Sequence, residues 1–126
     1  MREIIHTDDA PEAVGAYSQG VETGDLVFTA GQIPLTPEGD LLDGASIDIQ
    51  TEQALENVEA VLAESGLEMD DVVKVSVYLD DIDDFDEMNE IYETFFDEEA
   101  PPARSAIAVD ELPKGVGVEI EAIATK

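Results

Sequence analysis

The sequence predicts an α/β fold: one domain spanning residues 1–126, built as a mixed β-sheet with two helices packed on one face. Three observations carry that prediction. Apolar residues recur at three-and-four spacing over 48–65 and again over 84–96, the period of amphipathic helices. The segments "VVKVSVYL" (72–79), "RSAIAV" (104–109) and "GVEIEAIAT" (117–125) alternate with period two, as half-buried strands do. A chain of 126 residues, 44% apolar, has material for one hydrophobic core and not for two.

Along the chain, "REIIH" (2–6) reads as a short edge strand. "AYSQGVETGDLVFTAG" (16–31) reads as two strands around a turn at Glu22 to Asp25, where Gly24 supplies the permissive backbone. "IPLTPEGDLLDGAS" (33–46) is a loop punctuated by prolines and glycines. The first helix, from about Asp48 to Ser65, gathers Ala54, Leu55, Val58, Val61 and Leu62 on one stripe, and Gly66 is placed to end it. In the strand at 72–79, Val73, Val75, Val77 and Leu79 share one face; Val72, Lys74, Ser76 and Tyr78 share the other.

The second helix, from about Asp84 to Phe96, has Phe85, Met88, Ile91, Tyr92 and Phe95 as its apolar stripe. Asp84 with Glu87 has the form of a capping box. In the last two strands Ile107 and Val109 are assigned to the core, which leaves Arg104, Ala106 and Ala108 on the reverse face of the sheet. Val118, Ile120, Ala122 and Ala124 are likewise separated from Glu119, Glu121 and Ile123. The reverse face then collects Lys74, Ser76, Tyr78, Arg104, Glu119 and Glu121. That mixture suits a contact between subunits, so a homo-oligomer is expected.

Thirty-two acidic residues stand against five basic ones, a formal net charge of −27 spread along the whole chain. The densest run, "DDIDDFDE" (80–87), lacks the glycine and terminal glutamate of a calcium-binding EF-hand loop. The reading adopted is adaptation to a salt-rich cytoplasm, where screening shortens to about 3 Å at about 1 M salt. Without a basic patch, nucleic acid is not an expected partner. The absence of cysteine excludes disulfides, thiolate metal sites and a cysteine nucleophile. No stretch has the form of a signal peptide or a membrane span, so a soluble, cytoplasmic protein without membrane contact is expected.

Familiar catalytic arrangements are missing. The single histidine, His6, reads as a surface or edge-strand residue. "AYSQG" has alanine where a nucleophile elbow needs glycine, and "GVGVEI" lacks the third glycine of a dinucleotide fingerprint. Chemistry without metal, nucleotide or other cofactor is therefore expected. What remains is Arg104 and Glu119. A guanidinium in a strand otherwise apolar is costly unless an anion meets it, and two readings fit. Arg104 clamps a ligand carboxylate in space left by small alanines while Glu119 polarises a water, or the two form a structural ion pair between subunits.

The segments "GAYSQGV" (15–21), "GDLVFTAGQIPL" (24–35), "QTEQALENVEAVL" (50–62), "DDVVKVSVYLDDIDDFDEMNEIYETFF" (70–96), "PARSAIAVDELPKG" (102–115) and "VEIEAIA" (118–124), in this order and spacing, resemble the RidA (reactive intermediate deaminase A, also YjgF) family over nearly the whole chain. The resemblance implies a chorismate-mutase-like fold assembled as a homotrimer, with sites in the clefts between subunits. It implies hydrolysis of reactive 2-enamine and 2-imino acids, such as 2-iminobutanoate and 2-iminopropanoate, to 2-keto acids and ammonia without a cofactor.

It also implies roles for individual residues. Arg104 would bind the substrate carboxylate, helped by the backbone N–H of Ala106; Glu119 would hold the water; and Tyr17 would close the cleft or bond the departing nitrogen. The Gly31 carbonyl would face the imine nitrogen, with Ala30 and Asn89 lining the cleft. Many members have cysteine where Ala106 stands and serine where Ala30 stands, and proline is usual at Ala16. The alternative is a non-catalytic sensor of 2-keto acids on the same fold.

Overall fold

The computed structural model describes all 126 residues. Six strands form one sheet: β1 (Arg2–Ile5), β2 (Gly20–Thr23), β3 (Leu26–Thr29), β4 (Val72–Leu79), β5 (Ala103–Ala108) and β6 (Val118–Thr125). Their spatial order is β1-β2-β3-β6-β4-β5. β4 and β5 run parallel, and every other neighbouring pair is antiparallel. The β2–β3 turn needs a left-handed residue, and Gly24 provides it at φ +57°.

Two helices lie on one face: α1 (Ile47–Glu64) and α2 (Phe85–Tyr92), the latter continued by a 3-10 turn over Glu93–Phe95. The expected stripe of α1 is the buried one, with Ala54, Leu55, Val58, Val61 and Leu62 all within about 1% of full burial. It packs in one core with Val75, Val77 and Leu79 of β4 and with Val118, Ile120, Ala122 and Ala124 of β6. Gly66, at φ +77°, ends α1 as expected, with its N–H donating to the Ala63 carbonyl and that of Leu67 to the Leu62 carbonyl.

Three buried amides that sequence patterning passes over tie loops to this core. Gln19 accepts from the Thr7 N–H at 2.7 Å and donates to the Pro11 carbonyl at 2.8 Å, pinning the strand-free segment after β1. Gln50 accepts from the Gly117 N–H at 2.8 Å and donates to the Ala45 carbonyl at 2.8 Å. Asn57 donates to the carbonyls of Ile33 and Leu35, holding the 33–46 loop against α1.

Four expectations are corrected. A β-bulge between Val72 and Lys74 switches the phase of β4, so that Val72 is buried and Val73 stands 45% exposed. α2 is shorter than expected, because its last turn tightens to 3-10. Asp84 makes no capping bond: the chain enters α2 directly from a 3-10 turn over Ile82–Asp84, so Asp84 is already in helical conformation. Glu87 instead accepts from the Asp48 N–H at the start of α1.

The fourth correction concerns β5. Arg104 pairs with Val75 and Ala106 with Val77, which puts both on the helix-bearing face, while Ile107 pairs with Tyr78 on the reverse face and is 50% exposed. Period two fixes which residues share a face but not which face is the core.

Candidate functional site

β5 is an edge strand, and its helix-side face lies against α2. On α2, Phe85, Asn89 and Tyr92 follow at four- and three-residue steps and so share a side. Together they hold Arg104. Its guanidinium carbon sits 4.6 Å from the Tyr92 ring centre and 5.3 Å from that of Phe85, and Nη1 donates to Asn89 Oδ1 at 2.6 Å. The chain's lysine–carboxylate ion pair is Lys126–Glu22, and the His6 ring approaches Asp8; no carboxylate comes within 4.0 Å of Arg104. Among thirty-two acids, this fork has been given a neutral partner and two aromatic faces.

Beside it opens a groove of about 480 Å³. Asn89, Tyr92, Phe96, Pro101, Pro102 and Arg104 form its walls, and the exposed acids Glu93, Asp97 and Glu98 also line it. The Tyr92 hydroxyl is buried there without a hydrogen-bond partner. Ala106 follows two residues along the same face. Because the Val109 N–H donates to Leu79 of β4, strand alternation sends the N–H groups of Ala106 and Arg104 toward the open edge, where they are free to meet an anion.

Glu119 lies elsewhere. It pairs with Tyr78 in the sheet and so occupies the reverse face, opposite to Arg104. Within one chain the Arg104–Glu119 ion pair is therefore absent, and so is the shared face that the sequence suggested. Glu119 is brought together with Gly31 instead: a Cβ added at Gly31 would collide with Glu119 Oε2. Mutual hydrogen bonds between the backbones of Gln32 and Ile120 fix this approach. Burial raises the Glu119 pKa above the usual carboxylate range, and the Glu121 charge adds to the effect. Glu121 itself accepts from the Tyr78 hydroxyl at 2.7 Å.

Ala30 adjoins Gly31, and its N–H donates to the Gln19 carbonyl, which brings the loop bearing Tyr17 alongside. Tyr17 is 54% exposed. The candidates thus fall into two sets. Arg104, Asn89 and Ala106 lie at the β5 edge, and Glu119, Gly31 and Ala30 lie on the reverse face with Tyr17 in the loop beside them. The sequence reading missed Phe85 and Tyr92 as the cradle of Arg104, although their spacing from Asn89 is visible in it. His6 is exposed, as expected, and no group of histidine and acidic side chains is placed to hold a metal ion.

Residues 7–126 match the family described as Endoribonuclease L-PSP. The chain belongs to that family, which includes the YjgF, RidA and RutC proteins. It is 49% identical to a "RutC family protein" of Pyrococcus horikoshii over all of this chain and 99% of that one. It is 44% identical to the "Putative reactive intermediate deaminase TdcF" of Escherichia coli, over all of this chain and 98% of the relative. A crystal structure of Escherichia coli TdcF with bound serine superposes with a TM-score of 0.92 at 45% identity, covering 98% of each chain. The mixed sheet with two helices is accordingly the fold of this family. No helix of the chain is long and apolar enough to cross a membrane.

Proposed function

We propose that this protein hydrolyses reactive 2-enamine and 2-imino acids, 2-iminobutanoate and 2-iminopropanoate among them, to 2-keto acids and ammonia. The observation that carries the reading is the Arg104 fork, held by Asn89 and two aromatic rings beside an open groove with no carboxylate of the chain upon it. A planar guanidinium so presented is matched to a ligand carboxylate. The relatives named as deaminases, and the amino acid bound in the TdcF structure, support this substrate class.

The site is completed by a second copy. Arg104 and Glu119 occupy opposite sheet faces, so the β5 edge of one protomer must meet the reverse face of its neighbour for both to reach one substrate. Exposed Phe28, Val73 and Ile107 on that reverse face give the contact apolar area, and a homotrimer with three such clefts accommodates it.

In the cleft, Arg104 and the Ala106 N–H hold the carboxylate, which sets C2 of the imine over a water on the neighbour's Glu119. The water adds to C2 as its proton passes to the Glu119 carboxylate, forming a carbinolamine. Glu119 returns that proton to nitrogen and then relays the hydroxyl proton to it as the C–N bond breaks, so that ammonia leaves and the hydroxyl oxygen becomes the keto oxygen. The Gly31 carbonyl accepts from the imine N–H, and Tyr17 closes over the substrate. No metal or nucleotide is asked for. A nuclease reading, which the family description carries, would place a polyanion on a groove lined by three acids, against the charge.

The test generates the imines in situ with an amino acid oxidase and follows semicarbazone trapping. Wild type should suppress trapping. Arg104→Met should lose turnover by at least about a hundredfold, from the loss of one or two charge-assisted bonds, while its oligomer persists by light scattering. A variant with near-normal rates would sink the assignment.

A further inference from the structure

The groove beside Arg104 is electrostatically lopsided. One guanidinium shares it with Glu93, Asp97 and Glu98, all exposed and none within ion-pair reach of it. Asn89 explains how the acids are kept off. Its Oδ1 accepts from Arg104 at 2.6 Å while its Nδ2 donates to Glu93 Oε1 at 2.9 Å, so one neutral carboxamide is interposed between cation and anion. The other cations are engaged or remote: Lys126 pairs with Glu22, Lys74 donates to Ser105 on the reverse face, and neither Arg2 nor Lys114 lines the groove. A ligand's first carboxylate therefore meets the only fork present. The only other charged groups lining the groove are carboxylates.

We propose that Glu93, Asp97 and Glu98 make this groove a charge filter, which accepts 2-imino and 2-oxo acids with neutral or cationic side chains and rejects those bearing a second carboxylate. The inference rests on Arg104 being the carboxylate site, and it goes beyond that reading by naming the substrate subclass. A second carboxylate gains no partner and is repelled at exposed-site strength, which through a few like charges amounts to about a tenfold penalty at low salt. A guanidinium or ammonium side chain gains by a comparable factor. Because the acids are exposed, the selection is screened by salt, unlike one imposed by shape.

The experiment measures binding of stable 2-oxo acids to the intact protein by calorimetry, in about 0.2 M and about 2 M potassium chloride. The ligands are 2-oxohexanoate, 2-oxoglutarate of similar length, and 5-guanidino-2-oxopentanoate. At low salt 2-oxoglutarate should bind about tenfold more weakly than 2-oxohexanoate, and the guanidino acid more tightly than either. At high salt the spread should shrink to within about threefold. Asp97→Asn combined with Glu98→Gln should compress the low-salt spread in the same way.

The proposal is overturned if 2-oxoglutarate matches 2-oxohexanoate at low salt, if its rejection survives both salt and neutralisation, or if no oxo acid binds through Arg104. Parallel trapping assays separate the two claims. Binding graded by charge without imine hydrolysis removes the deaminase reading alone, and hydrolysis that is indifferent to side-chain charge removes the filter alone.

Discussion

Arg104 and Glu119 are charged side chains kept under opposite conditions. Arg104 is neutralised by nothing in its own chain, and its nearest polar partner is the Asn89 carboxamide at 2.6 Å. Replacing that amide by an isosteric carboxylate would turn a hydrogen bond to a neutral acceptor into an ion pair and occupy the fork. Asn89→Asp should therefore fold normally yet bind 2-oxobutanoate at least about tenfold more weakly, as calorimetry would record, since a ligand must now displace an internal anion. Unchanged affinity would mean that the ligand does not use the fork.

Glu119 has the contrary problem. Burial, then the Glu121 charge, holds its proton on to higher pH than an ordinary glutamate's. A base must be deprotonated to accept from water, so kcat/KM should rise with pH through that raised value, with an acid limb above the usual glutamate pKa of about 4.3. Glu121→Gln removes one of the two causes and should move the limb to lower pH. A limb that stays put in this variant would show that another group titrates there.

At the scale of elements, one polar side chain joins α1 to the start of β6. Gln50 is buried, accepts from the Gly117 N–H and donates to the Ala45 carbonyl, both at 2.8 Å. Truncation strands a part-buried N–H and carbonyl, so Gln50→Ala should cost about 2 kcal/mol, seen as a lower denaturant midpoint at unchanged slope. Nothing in the sequence pattern advertises this tie, because hydrophobic periodicity is silent about a glutamine on the buried face of a helix.

The same periodicity finds α1, β4 and β6 almost to the residue, since each buries one long stripe. It fails where only the phase is in doubt. In β5, Ile107 reads as core because it is apolar, yet it faces away from the helices, and Arg104 takes the inner side because Phe85 and Tyr92 offer it ring faces. At the start of β4 a single bulge exchanges Val72 for Val73. Arg104 and Glu119 are recognisable as site candidates one by one. Their separation onto two faces is not, because alternation within each strand carries no information about the register between strands.

For the whole molecule, charge outweighs every other surface property. A formal −27 on 126 residues is balanced internally by one lysine–glutamate pair and a histidine–aspartate contact, so most acids meet only water or one another. Glu56 shows the local effect: burial first, then the charges of Glu52 and Glu59, raises its pKa. Asp84 is raised likewise, by burial and then by Asp81, Glu87 and their neighbours. A carboxyl whose pKa is higher folded than unfolded subtracts stability while ionised, and that loss is relieved as pH falls through the raised value.

Two manipulations should thus act alike. Raising potassium chloride from about 0.1 M to about 1 M shortens the screening length from about 10 Å to about 3 Å and should raise Tm by several degrees. Lowering pH toward about 5 at low salt should recover part of the same gain. The oligomer should follow, because joining three such chains concentrates like charge: light scattering should give three protomers in molar salt and smaller species after dialysis. If Tm and mass are indifferent to salt at neutral pH, repulsion is not what limits this fold, and the acidic surface needs another explanation. If salt protects but mild acid does not, the ions act by binding to the folded assembly rather than by screening it.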